Sequence, residues 1–146
     1  MHTLNESEID ALLNTAKVIA IVGLSNKPER DSFKVAQYLQ EQGYTVLGVN
    51  PVLAGQSIEG VACFVDLAAA KQVYPQIDIV DCFRKSEEIP AIVTEVQNLG
   101  LPMIWMQLGV IHEEAAEAAA KAGIAVVMDR CTKIEHKRMV AAVQAE

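Results

Sequence analysis

The apolar residues of this chain follow two alternating patterns. Short, nearly continuous runs rich in β-branched residues stand at 17–23 (KVIAIVG), 44–50 (YTVLGVN), 77–83 (IDIVDCF), 102–108 (PMIWMQL) and 125–129 (AVVMD). Runs of this kind mark strands covered on both faces. A weaker run at 61–64, VACF, predicts one more short strand. Between the runs the spacing lengthens to three and four residues. Phe33, Ala36 and Leu39 mark a helix that stops near Gly43, and Ile89, Ile92, Val93, Val96 and Leu99 mark another that stops at Gly100. The alanine-rich stretch 113–123, EEAAEAAAKAG, predicts a third helix, also closed by glycine. Asn5 with Glu8, and Thr132 with Glu135, have capping-box spacing. They predict helices over about 6–15 and from 132 onward.

Strands alternating with helices predict an α/β fold with right-handed connections. The expectation is a single doubly wound, mostly parallel sheet with helices on both faces. With the six strands numbered along the chain, the expected order is about 3-2-1-4-5-6. The link 51–60, PVLAGQSIEG, has two glycines, a proline and no helical period. It is short for a parallel crossover, so the third strand is expected to be short and peripheral. No repeat or linker divides the chain, which leaves one domain over 1–146.

Composition narrows the function classes. The 146 residues are 51% hydrophobic and 21% charged, with 12 Lys and Arg against 19 Asp and Glu, a net charge of −7. An acidic balance argues against general binding to nucleic acid or anionic membranes. No apolar run approaches the ~20 residues of a membrane-spanning helix, and the start of the chain lacks the basic and apolar regions of a secretory signal. Cys63, Cys82 and Cys131 are odd in number and lack metal-ligand spacing. A cytoplasmic protein with reduced thiols is the expectation.

Against this acidic background, cations gather in two loops. In an open doubly wound sheet, ligands sit beyond the carboxyl ends of the strands, where the winding reverses. The loops expected to meet there carry Lys27, Arg30 and Lys34 on one side and Arg84 and Lys85 on the other. The first loop starts at Gly23 like a dinucleotide-binding turn, but Ser25 and Pro28 stand where further glycines belong. Free N–H groups at the following helix start, with the hydroxyls of Ser25 and Ser32, suit an anion. Glu29 and Asp31 oppose one, unless Asp31 turns away as the helix N-cap. Asn50 and Pro51 end the second strand where an NAD-binding fold carries an acid. Their presence favours a ligand with a phosphorylated ribose, such as NADP or coenzyme A.

The stretch 18–51, followed by IDIVDCFRKSEEIP, IWMQLGV and VVMDRCTKIE, closely resembles the small bacterial and archaeal CoA-binding proteins. These are similar to the CoA-binding domain of the succinyl-CoA synthetase α subunit. The resemblance covers about residues 15–136. It implies a Rossmann-like domain that binds coenzyme A, with Gly23, Leu24, Ser25, Lys27, Arg30 and Ser32 around the phosphates. It further implies that Asn50 and Pro51 lie near the adenosine and that Phe83 and Arg84 line the other side. Asp31 departs from the family pattern, where an uncharged residue often precedes the serine.

In the synthetase, catalysis uses a phosphohistidine from a second domain. Here His2, His112 and His136 pair with no evident nucleophile or metal set, and are expected as surface or capping residues. No catalytic residue is assigned. The expected role is a non-catalytic binding, carrier or sensor module for CoA or an acyl-CoA. An NADP-binding redox protein and a CoA-binding component of a multi-subunit acyl-CoA ligase are the alternatives. Cys63, Cys82, Trp105 and Met106 are expected to pack in strands. Cys131, next to Arg130, is either a structural cysteine or a thiol that meets the thiol of CoA. A protein partner or homo-oligomer stays open, with the alanine-rich and C-terminal helices as possible faces.

Overall fold

The computed structural model describes residues 3–145; His2 lies outside them. Helix α1 (Glu6–Thr15) opens on the expected capping box: Asn5 Oδ1 accepts from Glu8 N and Glu8 Oε1 accepts from Asn5 N, both at 2.9 Å. Strand β1 (Val18–Val22) leads to α2 (Asp31–Glu41), β2 (Thr45–Val49), β3 (Ser57–Ile58) and β4 (Val61–Phe64). Then follow α3 (Leu67–Val73), β5 (Ile79–Cys82), α4 (Ile89–Asn98), β6 (Met103–Met106), α5 (Glu113–Lys121), β7 (Ala125–Val127) and α6 (Thr132–Ala145).

The sheet order is β3-β4-β2-β1-β5-β6-β7, and every pairing is parallel except β3 with β4. Removing β3 leaves the expected order. The chain winds outward from β1 through β2 to β4, then returns to place β5 on the other side of β1. Alternate side chains of each strand supply two cores. Ala20, Val80, Cys82, Ile104 and Met106 face α3, α4 and α5, while Ile19, Ile21, Ile79, Met103 and Trp105 face α1 and α2. Helix α6 packs on this second layer beside α1 and α2. Both faces are therefore apolar, which explains why the strands read as unbroken hydrophobic runs. Ala115, Ala116 and Ala119 of α5 point into the first core.

Three local details differ from the sequence reading. Residues 51–60 contain a helical turn (Pro51–Leu53) and then β3, which doubles back on β4. Glu59 (φ 49°) and Gly60 (φ 86°) make that reversal, with the paired positive φ of a tight hairpin turn. Helix α3 was not anticipated. It is only seven residues long, is capped by Asp66 accepting from Ala69 N, and buries just Leu67 and Ala70. The capping box expected at Thr132 does not form. Thr132 Oγ1 instead donates to buried Asp81 Oδ2, and Glu135 turns to Arg130 and Arg138. A buried carboxyl group outcompetes the local backbone for that hydroxyl because its burial would otherwise go uncompensated.

The sheet edges are short. β3 has two residues and β7 three, and Leu4 N donates to Val126 O on β7 at 2.8 Å. Among the described residues, no helix is long and apolar enough to cross a membrane.

Candidate functional site

The ends of β1 and β5 diverge into different layers, and the cleft between them is closed at its base by one glycine. Gly23 donates its N–H to Val49 O and holds φ at 92°. A Cβ there would lie 2.6 Å from Phe83 O and 2.8 Å from Arg84 Cδ. The loops after β1 and β5 thus touch through backbone, as a winding switch requires. Leu24 is buried beneath them, and its carbonyl accepts from Asn50 Nδ2 at 2.9 Å. Asn50 Oδ1 also accepts from Val52 N. Asn50 therefore ties the end of β2 to the first loop, and Pro51 continues outward on the exposed side.

The first loop folds around hydroxyls. Ser25 N donates to Ser32 Oγ at 2.9 Å, and Lys27 N donates to Ser25 Oγ at 3.1 Å. Each hydroxyl keeps its own proton to offer. Arg30 occupies the N-cap position of α2 without a side-chain cap, and Asp31 is the first helical residue. This corrects the expectation that Asp31 caps the helix. Gly23, Ser25, Lys27, Arg30, Asp31, Ser32 and Phe83 line an open cavity of about 370 Å³.

A larger cavity of about 640 Å³ shares Phe83 and Asp31 with it and extends between α2 and α6. Lys34, Arg84, Lys85 and Lys133 supply its cations, Val35, Leu108, Val110 and Ile134 its apolar walls, and Gln107 and Cys131 further polar groups. Arg84 is paired with Glu88 at 2.6 Å. The Arg84 hydrogen bond holds the Glu88 carboxyl below its usual range. Lys27, Arg30, Lys34 and Lys85 have no ion-pair partner among the described residues. Of the residues singled out in the sequence, Gly23, Ser25, Lys27, Arg30, Ser32 and Phe83 share the smaller cavity, and Arg84 joins Phe83 in the larger. Leu24 lies underneath, and Asn50 and Pro51 lie outside both linings.

Asp81 and Gln107, which no sequence motif marked, join Thr132, expected only as a helix cap, in a buried network. Gln107 Nε2 donates to Asp81 Oδ1 at 2.5 Å and to Thr132 Oγ1 at 2.9 Å, and Thr132 Oγ1 donates to Asp81 Oδ2 at 2.9 Å. All three are buried. Burial pushes the Asp81 carboxyl up from 3.8 to about 7, against the downward pull of its two hydrogen bonds. An acid in the middle of an apolar strand was the available signal.

This shift has a stability consequence. Between about pH 4 and pH 7 the unfolded chain releases the Asp81 proton while the folded one keeps it. Folding stability should therefore fall as pH rises through that window, by at most about 1.4 kcal/mol per pH unit from this residue. Asp81→Asn should remove that part of the slope, measured by urea unfolding at pH 5 and pH 7. A stability difference between the two proteins that is the same at both pH values would contradict it.

The histidines and cysteines fall into place differently. His112 caps α5, with Nδ1 accepting from Ala115 N at 3.1 Å. His136, expected near the surface, is buried instead, 2.7 Å from the Tyr38 hydroxyl and edge-on to Tyr38 and Tyr44. Burial lowers its pKa. Cys63 and Cys82 are buried, which raises both thiols. Cys131 is half-buried, and its neighbour Arg130 turns its guanidinium to Glu135 at 3.4 Å.

Comparison with known proteins gives this architecture a context. The family described as "CoA binding domain" matches residues 17–137. The chain is 35% identical over 136 residues to the uncharacterized protein YneT of Bacillus subtilis, covering 93% of this chain and 97% of that one. It superposes on the structure of cell-free ID.343 from Thermus thermophilus with a TM-score of 0.86 at 39% identity, over 93% of this chain and 99% of that one. A hypothetical protein from Pyrococcus horikoshii OT3 gives 0.85 at 33% identity, over 96% and 95%.

Proposed function

Because the chain belongs to the CoA-binding domain family, we propose that it binds coenzyme A, free or acylated, along the two adjoining cavities at the carboxyl edge of its sheet. The observation that carries this reading is their continuity. A smaller cavity with hydroxyls, cations and a helix start shares Asp31 and Phe83 with a larger one that adds apolar walls to its cations. Coenzyme A has the matching division, with phosphates at one end and an uncharged arm at the other. Gly23, Leu24, Ser25, Lys27, Arg30 and Ser32 form the phosphate end, with Asn50 and Pro51 toward the adenosine. Phe83 and Arg84 form the wall along which the arm passes. A helix N-terminus without a side-chain cap leaves its first N–H groups and positive dipole end for the phosphates. The chain acts as one domain, and the role is that of a carrier or sensor. Three free cysteines are compatible with a reducing compartment such as the cytoplasm.

The test is ligand-induced stabilisation. Coenzyme A at 100 times its dissociation constant adds about 2.7 kcal/mol, which raises Tm by roughly 5–10 °C for a chain of this size. NADP and NAD should add little. Lys27→Glu should weaken binding roughly tenfold or more by replacing a charge-assisted phosphate contact with repulsion, and Arg84→Glu should weaken it less, through the negative charge it adds near an anionic ligand. Absence of a shift with saturating CoA and acetyl-CoA removes the reading. A shift with NADP alone replaces it with a redox-cofactor site. Unchanged affinity in both variants means that the phosphates lie elsewhere.

A further inference from the structure

The larger cavity contains a buried side chain with an unused hydrogen-bonding atom. Gln107 is 3% exposed. Both hydrogens of its amide are committed, one to Asp81 Oδ1 and one to Thr132 Oγ1. Its Oε1 has no partner among the described residues, although Gln107 lines the cavity. With Asp81 ionised, turning the amide over would set that oxygen against the carboxylate, acceptor against acceptor. Thr132 cannot relieve this, because its own hydroxyl proton goes to Asp81 Oδ2. Above the Asp81 titration the buried network therefore fixes one orientation, which leaves a carbonyl-type oxygen for the cavity that Gln107 lines.

An acceptor in this position discriminates. It attracts an N–H or O–H donor and repels a phosphate oxygen. The same cavity is lined by Lys34, Arg84, Lys85 and Lys133, so it carries groups for an anion as well as an acceptor for a donor. Resting on the CoA reading above, we propose that Gln107 Oε1 accepts a hydrogen bond from an amide N–H of the pantetheine arm. Asp81 and Thr132 then serve as positioning residues that lock the amide of Gln107. The site selects CoA over phosphorylated adenosine ligands that have no amide-bearing arm.

The decisive experiment alters the ligand and leaves the protein intact. CoA analogues in which one or other arm amide is replaced by an ester lack the N–H but keep the shape. One of them should bind the wild-type protein roughly 3- to 10-fold more weakly than CoA, the worth of a net hydrogen bond. In Gln107→Met that difference should vanish. Adenosine 3′,5′-bisphosphate, which has no arm, should bind both proteins equally. If both ester analogues bind the wild type as tightly as CoA, the Gln107 assignment fails while the CoA reading stands. If CoA itself does not bind, both fall. Should Gln107→Met not fold, the wild-type comparison alone still decides.

Discussion

Gly23→Ala is expected to be among the most damaging single-methyl additions to this protein, lowering stability by about 2–6 kcal/mol and weakening CoA binding with it. Two costs combine. The residue sits at φ 92°, a region that is strained for any side chain with a Cβ, at about 1–3 kcal/mol. The added methyl would also lie 2.6 Å from Phe83 O. That oxygen belongs to backbone, and Phe83 N is bonded to Val22 O at 2.9 Å, so it cannot yield cheaply. Arg84 Cδ, at 2.8 Å, is the end of a flexible chain and can. Overpacking against backbone adds about 1–3 kcal/mol. Gly43→Ala provides the internal comparison. It has φ 100° with no atom within 4 Å of the added Cβ, so it carries the strain without the contact. Urea unfolding of the two variants separates the terms. Equal losses would show that the β1 and β5 loops can part freely and that their contact at Gly23 is not a constraint.

The second large effect is expected at Trp105. This side chain is fully buried on the α1 and α2 face of the sheet, and its Nε1 donates to Arg130 O at 2.7 Å. Trp105→Ala should cost about 3–5 kcal/mol through lost packing and the cavity left behind. Trp105→Phe keeps most of the apolar contact but leaves the Arg130 carbonyl without its donor, which should cost about 1–3 kcal/mol. Arg130 N also donates to Met106 O at 3.3 Å, so the segment before α6 is held to β6 at two points. Loss of the indole link should loosen Cys131 and Thr132, both next to the larger cavity. Circular dichroism across a urea series measures the stabilities. A Trp105→Ala loss below 1 kcal/mol would mean that the core around it collapses to fill the space.

The readable parts of the sequence were those where burial leaves a periodic trace. β1, β2, β5 and β6 are apolar on both faces, so each stands out as a run, and Asn5 with Glu8 marks the start of α1 by a contact three residues apart. Helix α3 leaves no such trace because LAAAKQV buries only Leu67 and Ala70. β3 has two residues, and its turn uses Glu59-Gly60 where Asn-Gly or Asp-Gly would have signalled a hairpin. The cationic loops were legible because Lys27, Arg30 and Arg84 flank strand ends whose order fixes which loops meet. The Asp81–Gln107–Thr132 network was not, since its members lie 25 and 26 residues apart and more. Thr132 shows why local rules failed there. Its spacing to Glu135 suits a cap, but a buried acid from another strand claims the hydroxyl.

The two short borders of the sheet bear on how the protein behaves when crowded. An exposed strand is a template on which another chain can build. β3 offers two residues on one border, and on the other Leu4 already occupies a hydrogen-bonding position beside β7. At the β7 border a second molecule would have to displace native chain, and at the β3 border it would find only two residues to pair with. Concentrated solutions should therefore resist fibril growth seeded by the native sheet, and any self-association that does occur should proceed through helical surfaces.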